Sequence, residues 1–409
     1  MISEVSIIKI LAAIIAHPLR KVSGATNAAR DLTVATSRLI DTDLAVMWDH
    51  DYTVTTDGLT THHLACWNLL GPAARFVPRF ASMPFFDSHL PDLATSGGYD
   101  LVHIHNLVPT FAAARLGAAC RRHGIPYVIS SHGFYELSRY AEINGFGRLK
   151  SALVSFAITK PFNRIIRESS AIFALSDFDR KLMASLGVGA DRVHLVTNGV
   201  NKFFLDPPSP EETREVRRKF GLTGEPKLLF MGSLHAYKGV GVYLRSLSQI
   251  RGRFQPILAG SFKSAGERDA LLREAQIPIE LAGRIVFTGG ISNAELRALY
   301  HEADVFVYPT MGDTLPLVVL EAMASRLPVV STTVAGIPFA VTPECGVLVP
   351  PGDATAVSRA VTDMLAAKEL RLRMGLCGRS RVEQIFRWPE AAKCAVAAYE
   401  HVLGRCSNK

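Results

Sequence analysis

The stretch Asp313-Thr-Leu-Pro-Leu-Val-Val-Leu-Glu-Ala-Met-Ala324 carries two carboxylates, Asp313 and Glu321, eight positions apart around a predicted helix start. The preceding residues 308–312, Tyr-Pro-Thr-Met-Gly, are typical of a strand end followed by a loop. Asp313 is therefore predicted in the loop, and Glu321 about one turn into the helix. A strand, a loop and a helix in this order form the repeating unit of a parallel α/β sheet.

The start of this helix is predicted to bind an anion. Pro316 suits the first helical position, because its missing N–H has no intrahelical partner there, and Leu315 then lies near the cap. The backbone N–H groups around Leu315, Leu317 and Val318 combine with the positive end of the helix dipole. The segment therefore predicts an anionic ligand beside two carboxylates.

A second loop is also predicted to bind an anion. Met231-Gly-Ser-Leu-His-Ala-Tyr-Lys-Gly239 follows the apolar run 227–230, and Val240, Leu244 and Leu247 then fall on one helical face. A glycine-containing loop that ends in a lysine and feeds a helix start is well placed to bind phosphate. Two other nucleotide-binding motifs are not matched. Residues 239–244 lack the third glycine of a dinucleotide-binding motif, and residues 260–266 lack the spacing of a P-loop.

These two segments, in this order, resemble the signatures of glycosyltransferase family 4. Further matches run along most of the chain, at Asp100-Leu-Val-His-Ile-His-Asn106, Ser131-His-Gly133, Ala174-Leu-Ser176, Thr197-Asn-Gly-Val200 and Gly346-Val-Leu-Val-Pro-Pro-Gly-Asp353. The resemblance implies an α/β protein of the GT-B fold, with two doubly wound Rossmann-like domains and a cleft between them. It also implies a retaining, metal-independent transferase (EC 2.4 type) that uses a nucleotide sugar.

The resemblance assigns roles to particular residues. Lys238, the loop at Gly232 and Ser233, and the helix start at Leu315, Pro316 and Leu317 would bind the donor diphosphate. Glu321 would accept hydrogen bonds from the ribose hydroxyls, and Asp313 from hydroxyls of the transferred sugar, since one carboxylate can accept two charge-assisted bonds from a diol. His132 would lie beside the reacting carbon and the departing phosphate. Gly24 would let the backbone approach the diphosphate and the acceptor.

Four positions depart from the family pattern. Asp313 replaces the first glutamate of the acidic motif, and Ser233 stands where an arginine is frequent. Gly24 is one glycine where two are common, and Arg326 replaces a glycine after the Ala-Met-Ala helix, where a left-handed backbone would be costly. These departures affect the expected phosphate and sugar contacts.

The chain of 409 residues exceeds one ordinary core, so about two domains are expected. Aliphatic runs predict strands at 5–15, 44–48, 101–105, 127–130, 171–175 and 193–196 in one sheet. A second series follows at 228–231, 256–259, 285–288, 305–308, 329–331 and 347–349. The Pro-rich connector 206–212 separates them. The predicted domains are 1–205 for the acceptor, 206–385 for the nucleotide sugar, and 386–409 as a helix that returns to the first domain.

The amino-acid composition indicates the charge of the partners and the compartment of the protein. A net charge of +8 and a pI of about 9.2 favour anionic partners, and nothing resembles a nucleic-acid-binding module, so no nucleic acid is expected. Six scattered cysteines without metal-ligand spacing predict a reduced protein, hence a cytoplasmic one. The family resemblance, and not the composition, implies the particular partners: a UDP- or GDP-linked sugar as co-substrate, with no separate cofactor or metal, and a glycan or lipid-linked acceptor in cell-surface polysaccharide biosynthesis.

One further contact and two alternatives stay open at this point. Basic residues with interleaved apolar ones over 139–167 suit either a solvated helix face or peripheral contact with the anionic inner face of a membrane. Asp41-Thr-Asp43 or Asp49-His-Asp51 could be the D-x-D metal motif of a GT-A transferase. The other alternative to a GT-B enzyme is a non-catalytic GT-B partner protein that binds a nucleotide sugar, for which Ser233 and Asp313 are the only support.

Overall fold

The computed structural model describes residues 8–16, 23–77, 82–130, 133–134, 147, 155–234, 236–262 and 264–404. The chain divides into two compact units, residues 1–199 with 388–409, and residues 200–387. The first division falls six residues before the predicted boundary, and the second falls two residues after the predicted one. The Pro-rich connector 206–212 therefore lies inside the second unit.

The first unit is built on a mainly parallel sheet. Its described strands are β1 Lys9–Ile14, β2 Asp41–Trp48, β3 Tyr52–Thr56, β4 Leu59–Asn68, β5 Phe86–Ser88, β6 Leu101–His105, β7 Tyr127–Ser130, β8 Ala171–Ala174 and β9 Val193–Leu195. They lie in the order β3-β4-β2-β1-β6-β7-β8-β9, with β5 paired to β4. Only the β3–β4 and β4–β5 pairings among them are antiparallel.

The hairpin of β3 and β4 was not predicted from the apolar runs. All five residues of β3 are exposed, so its sequence Tyr-Thr-Val-Thr-Thr shows no buried face. The turn signal was present, however: Asp57 and Gly58 both have positive φ, 51° and 82°, as a tight two-residue hairpin turn requires.

Helices cover both faces of this sheet. They include α1 Gly24–Thr36, α2 Leu90–Ser96, α3 Thr110–Arg122, α4 Lys160–Glu168, α5 Asp177–Ser185 and the C-terminal α16 Trp388–Val402. The larger core joins Leu11, Ile104, Leu116 and Ile129, and a smaller one on the opposite face includes Ile14 and Leu44. Because α16 packs against α1, β8 and β9, the last helix belongs to the first unit.

The second unit contains a parallel sheet. Its described strands are β10 Lys227–Met231, β11 Gln255–Ala259, β12 Val286–Gly289, β13 Val305–Tyr308, β14 Val329–Thr332 and β15 Gly346–Val349, in the order β12-β11-β10-β13-β14-β15. All five pairings are parallel, and the order reverses at β10. Ligands of open α/β sheets bind at the carboxyl ends of strands near such a reversal.

The helices of the second unit connect these strands. They are α6 Lys202–Leu205, α7 Pro210–Phe220, α8 Val240–Leu247, α9 Ala265–Glu274, α10 Ile279–Ala282, α11 Asn293–Glu302, α12 Leu317–Ala324, α13 Ile337–Ala340, α14 Ala354–Ala366 and α15 Lys368–Ile385. Central strand residues such as Leu229, Ile257 and Val307 are fully buried, as expected for a sheet covered on both faces.

Helix α12 ends as the sequence predicted. Arg326 has a φ of 61°, so a residue with a Cβ occupies the left-handed position that follows the helix. The N–H of Leu327 bonds to the carbonyl of Ala322 at 3.0 Å, and that of Arg326 bonds to Met323 at 3.0 Å, which is a complete Schellman motif. The expected backbone cost at Arg326 is therefore present in the fold.

Candidate functional site

The loop after β10 is held against the loop after β13. Gly239 has a φ of 80°, and a Cβ there would overlap the carbonyl oxygen of Pro309, so only glycine fits. The N–H of Met311 donates to the carbonyl of Tyr237 at 2.7 Å. These contacts fix the backbone on both sides of Lys238.

The backbone conformation at the start of this loop also requires a glycine. Gly232 has a φ of 155°, and its N–H donates to the carbonyl of Ala259, the last residue of β11, at 3.0 Å. A Cβ on Gly260 would overlap the carbonyl oxygen of Gly232, so two backbones approach closely at this edge of the sheet. Ser233 is exposed beside them.

Lys238 and Asp313 form an ion pair at the carboxyl edge of β10 and β13. The Lys238 Nζ contacts Asp313 Oδ1, and both side chains are largely buried, at 16% and 9% exposure. Asp313 Oδ2 accepts hydrogen bonds from the Tyr308 hydroxyl at 2.8 Å and the Thr310 hydroxyl at 2.7 Å. The structure thus brings together two predicted site residues that are 75 positions apart in the chain.

This network changes the expected chemistry of Asp313. A carboxylate accepts about four hydrogen bonds, and Lys238, Tyr308 and Thr310 already supply three donors. A sugar hydroxyl would therefore have to share Oδ1 with the lysine. In this arrangement the main role of Asp313 is to hold the Lys238 ammonium group in place.

Helix α12 begins one residue later than predicted. Pro316 has extended backbone angles, φ −70° and ψ 130°, and is the N-cap, so Leu317 is the first helical residue. The expectation that Pro316 is the first helical residue and Leu315 the cap was therefore wrong by one position. The carbonyl of Pro316 accepts from the N–H of Val319 at 3.1 Å, and no side chain caps the helix. The N–H groups of Leu317 and Val318 remain those that an anion could meet.

Glu321 lies about one turn into α12, as predicted, and is half-buried. Its Oε2 accepts a hydrogen bond from the Tyr300 hydroxyl on α11 at 3.1 Å. Burial and the neighbouring Glu321 carboxylate raise the pKa of Tyr300 well above its usual value, so the phenol stays protonated and can donate.

The predicted residues of the first unit are partly described. Gly24 is the first residue of α1, exposed, with open space where a Cβ would lie, and Ser23 caps the helix through Thr26. His132 lies outside the described residues. His103 and His105 are buried, and His103 bonds to the Tyr399 hydroxyl at 2.6 Å and to Ser130 at 2.9 Å.

Three of the four carboxylates of the D-x-D candidates contact groups of the protein itself. Asp43 lies near the amino end of β2, where it accepts from the Tyr99 hydroxyl at 2.8 Å and pairs with Lys9 at 3.4 Å. Asp51 accepts from the N–H of Ala65, and Asp49 contacts His50. Within the described ranges, no group of three or more His, Cys, Asp or Glu could hold a metal ion.

Two family models match the chain. The one described as "Glycosyltransferase Family 4" matches residues 46–202, and the one described as "Glycosyl transferases group 1" matches residues 225–367. An uncharacterized glycosyltransferase of Methanocaldococcus jannaschii is 27% identical over 315 residues, covering 75% of this chain and 77% of the relative.

Solved structures share the fold along nearly the whole chain. Sucrose-phosphate synthase from Thermosynechococcus elongatus superposes with a TM-score of 0.75 at 22% identity, covering 97% of this chain and 100% of that one. Anabaena HepE in complex with UDP-glucose superposes with a TM-score of 0.71 at 16% identity, covering 96% and 99%.

The fold and the site define a two-unit α/β protein of the GT-B class, and the predicted fold is confirmed. The chain belongs to glycosyltransferase family 4 and is a glycosyltransferase of the EC 2.4 type. This membership favours the GT-B enzyme over both alternatives, the metal-dependent GT-A transferase and the non-catalytic partner.

No role for Tyr300, Tyr308 or Thr310 was predicted from the sequence. Tyr308 and Thr310 flank Pro309 directly before the acidic motif, so their position beside Asp313 could have been suspected. Tyr300 had no such signal, because it reaches Glu321 from a different helix, 21 positions earlier in the chain.

Proposed function

We propose that this glycosyltransferase moves a sugar from a UDP- or GDP-linked donor to a glycan or lipid-linked acceptor, with retention of the anomeric configuration and without a metal ion. The observation that carries the proposal is the largely buried ion pair between Lys238 and Asp313. Lys238 lies in the glycine loop, and Asp313 lies shortly before helix α12, which carries Glu321. UDP-glucose bound to the similar HepE fold supports a nucleotide sugar as the donor.

Lys238 has the central electrostatic role in this proposal. Negative charge grows on the diphosphate as the bond to the sugar breaks, and a fixed cation in a partly buried site stabilises that charge. The ammonium group is fixed by Asp313 and lies 4.8 Å from the centroid of the Tyr237 ring. Little reorganisation is then needed when the leaving group forms.

The start of α12 supplies a second source of positive potential. The N–H groups of Leu317 and Val318 have no intrahelical acceptors, and the helix dipole adds partial positive charge. In this proposal they bind one phosphate while Lys238 binds the other. Together they replace the divalent ion that a GT-A enzyme holds on the diphosphate.

Glu321 binds the donor ribose, and the acceptor supplies the nucleophile. A half-buried carboxylate that already accepts one hydrogen bond can accept further bonds from vicinal hydroxyls. No protein nucleophile is assigned. The acceptor oxygen attacks the anomeric carbon from the face that the diphosphate leaves, and its proton passes to the departing phosphate oxygen.

The product of the reaction tests this proposal. Incubation of the protein with donor and acceptor in excess chelator should give a glycoside whose anomeric proton coupling in NMR matches the donor configuration. A product with inverted configuration would overturn retention, and activity that returns only after a divalent ion is added would overturn metal independence.

We also propose peripheral contact with an anionic membrane. Along α4, Lys160, Arg164 and Arg167 recur at helical spacing, and Phe156 just before it is 65% exposed. Basic side chains next to an exposed aromatic ring suit the interface of an anionic bilayer. No helix in the described part of the chain is long and apolar enough to cross a membrane.

Vesicle binding tests this contact. Lys160→Gln/Arg164→Gln/Arg167→Gln should weaken co-sedimentation with phosphatidylglycerol-containing vesicles about 100-fold, since each basic residue near the surface contributes about 1 kcal/mol. The matched control, Arg214→Gln/Arg218→Gln/Lys219→Gln, removes the same charge from α7. Equal weakening by both triple variants would mean that net charge, and not this helix face, governs binding.

A further inference from the structure

The hydroxyl of Tyr300 contacts the helix that carries Glu321. Tyr300 is 1% exposed, and its oxygen lies 3.1 Å from Glu321 Oε2 and 3.2 Å from the carbonyl oxygen of Val318. Both acceptors belong to the first two turns of α12, which is the helix proposed to bind the donor. The single phenolic proton is shared between these two acceptors, so the phenol lies against both the carboxylate and the backbone near the anion site.

The surroundings of the ring do not require a hydroxyl. The Tyr300 ring packs edge-on against Phe204 and Phe306, with centroids 6.0 and 5.7 Å away. A phenylalanine would keep these contacts and would avoid burying a polar group, which costs free energy unless it is hydrogen-bonded. The hydroxyl is thus explained by what it bonds on α12.

We propose that Tyr300 is a positioning residue for donor recognition, which orients the Glu321 carboxylate toward the ribose hydroxyls of a nucleoside diphosphate. This inference rests on the proposed function of Glu321 and adds a residue to it. Without the phenol, the glutamate side chain gains rotamer freedom, and each hydrogen bond to ribose then costs more entropy to form.

The test measures ribose discrimination by calorimetry. UDP and 2′,3′-dideoxy-UDP are titrated into the full chain, and the guanosine pair is run in parallel. Two hydrogen bonds to a charged group predict a Kd ratio of about 100 in the wild type. We expect about 10 for Tyr300→Phe, and a similar reduction for Glu321→Gln.

A matched control separates positioning from stability. Tyr243 is also fully buried in this unit, and its hydroxyl donates to the carbonyl of Leu228 at 2.8 Å. Tyr243→Phe should lower thermal stability about as much as Tyr300→Phe, and it should keep the full Kd ratio, because its hydroxyl does not contact α12 residues in this network.

The outcomes distinguish two failures. If Glu321→Gln reduces the ratio and Tyr300→Phe keeps it, the positioning role is overturned and the proposed function stands. If Glu321→Gln keeps the full ratio, the ribose role of Glu321 is overturned, and that of Tyr300 with it. An equal loss of affinity for both nucleotides in Tyr300→Phe would mean a purely structural role.

Discussion

Lys238→Ala should lower kcat about 10²- to 10³-fold, because it removes the fixed cation that stabilises the leaving diphosphate. The measurement is the initial rate of product formation at saturating donor, with folding checked by thermal unfolding. Lys181→Ala, which removes an exposed lysine from α5 in the first unit, should leave the rate unchanged. A kcat within about tenfold of the wild type for Lys238→Ala would contradict the proposed role.

The same substitution also leaves Asp313 without its cation, and breaking a buried ion pair is destabilising. The double variant Lys238→Ala/Asp313→Asn separates the two effects. Removing the uncompensated charge should restore much of the lost stability, while kcat should stay low. Recovery of both would mean that Lys238 acts only through the stability of the loop.

Glu321→Ala should raise the donor KM about 100-fold, with a smaller effect on kcat, since the bonds to ribose exist in both the ground state and the transition state. Steady-state rates across donor concentrations measure both constants. Glu383→Ala on α15 removes a more exposed carboxylate from the same unit and serves as the control. An unchanged donor KM in Glu321→Ala would show that Glu321 does not bind the ribose.

Much of the fold was predictable because buried parallel strands form continuous aliphatic runs. The predicted strand 305–308 is β13 itself, and the run 329–331 ends one residue short of β14. The hairpin of β3 and β4 was missed because its outer strand is Thr-rich and exposed on both faces. In that case Asp57-Gly58 was the better signal, because turn chemistry does not depend on burial.

The site was predictable only in part, for a related reason. Residue type and spacing identified Lys238, Asp313 and Glu321, because a loop or helix start carries its chemistry locally. The partners of these side chains come from elements that are distant in sequence, so no periodicity indicates that Lys238 reaches Asp313 or that Tyr300 reaches Glu321. The one-residue error at Pro316 arose because proline fits both the N-cap and the first helical turn.

The proposed function depends most on the binding of a sugar diphosphate by Lys238 and the start of α12 without a metal ion. This binding is measured by calorimetric titration of the 409-residue chain with a panel of UDP- and GDP-linked sugars in excess chelator. We expect one of these donors to bind under these conditions, and we expect added Mg²⁺ to leave its affinity unchanged. Binding that appears only when a divalent ion is present, or no binding by any UDP- or GDP-linked sugar, would contradict the proposed function.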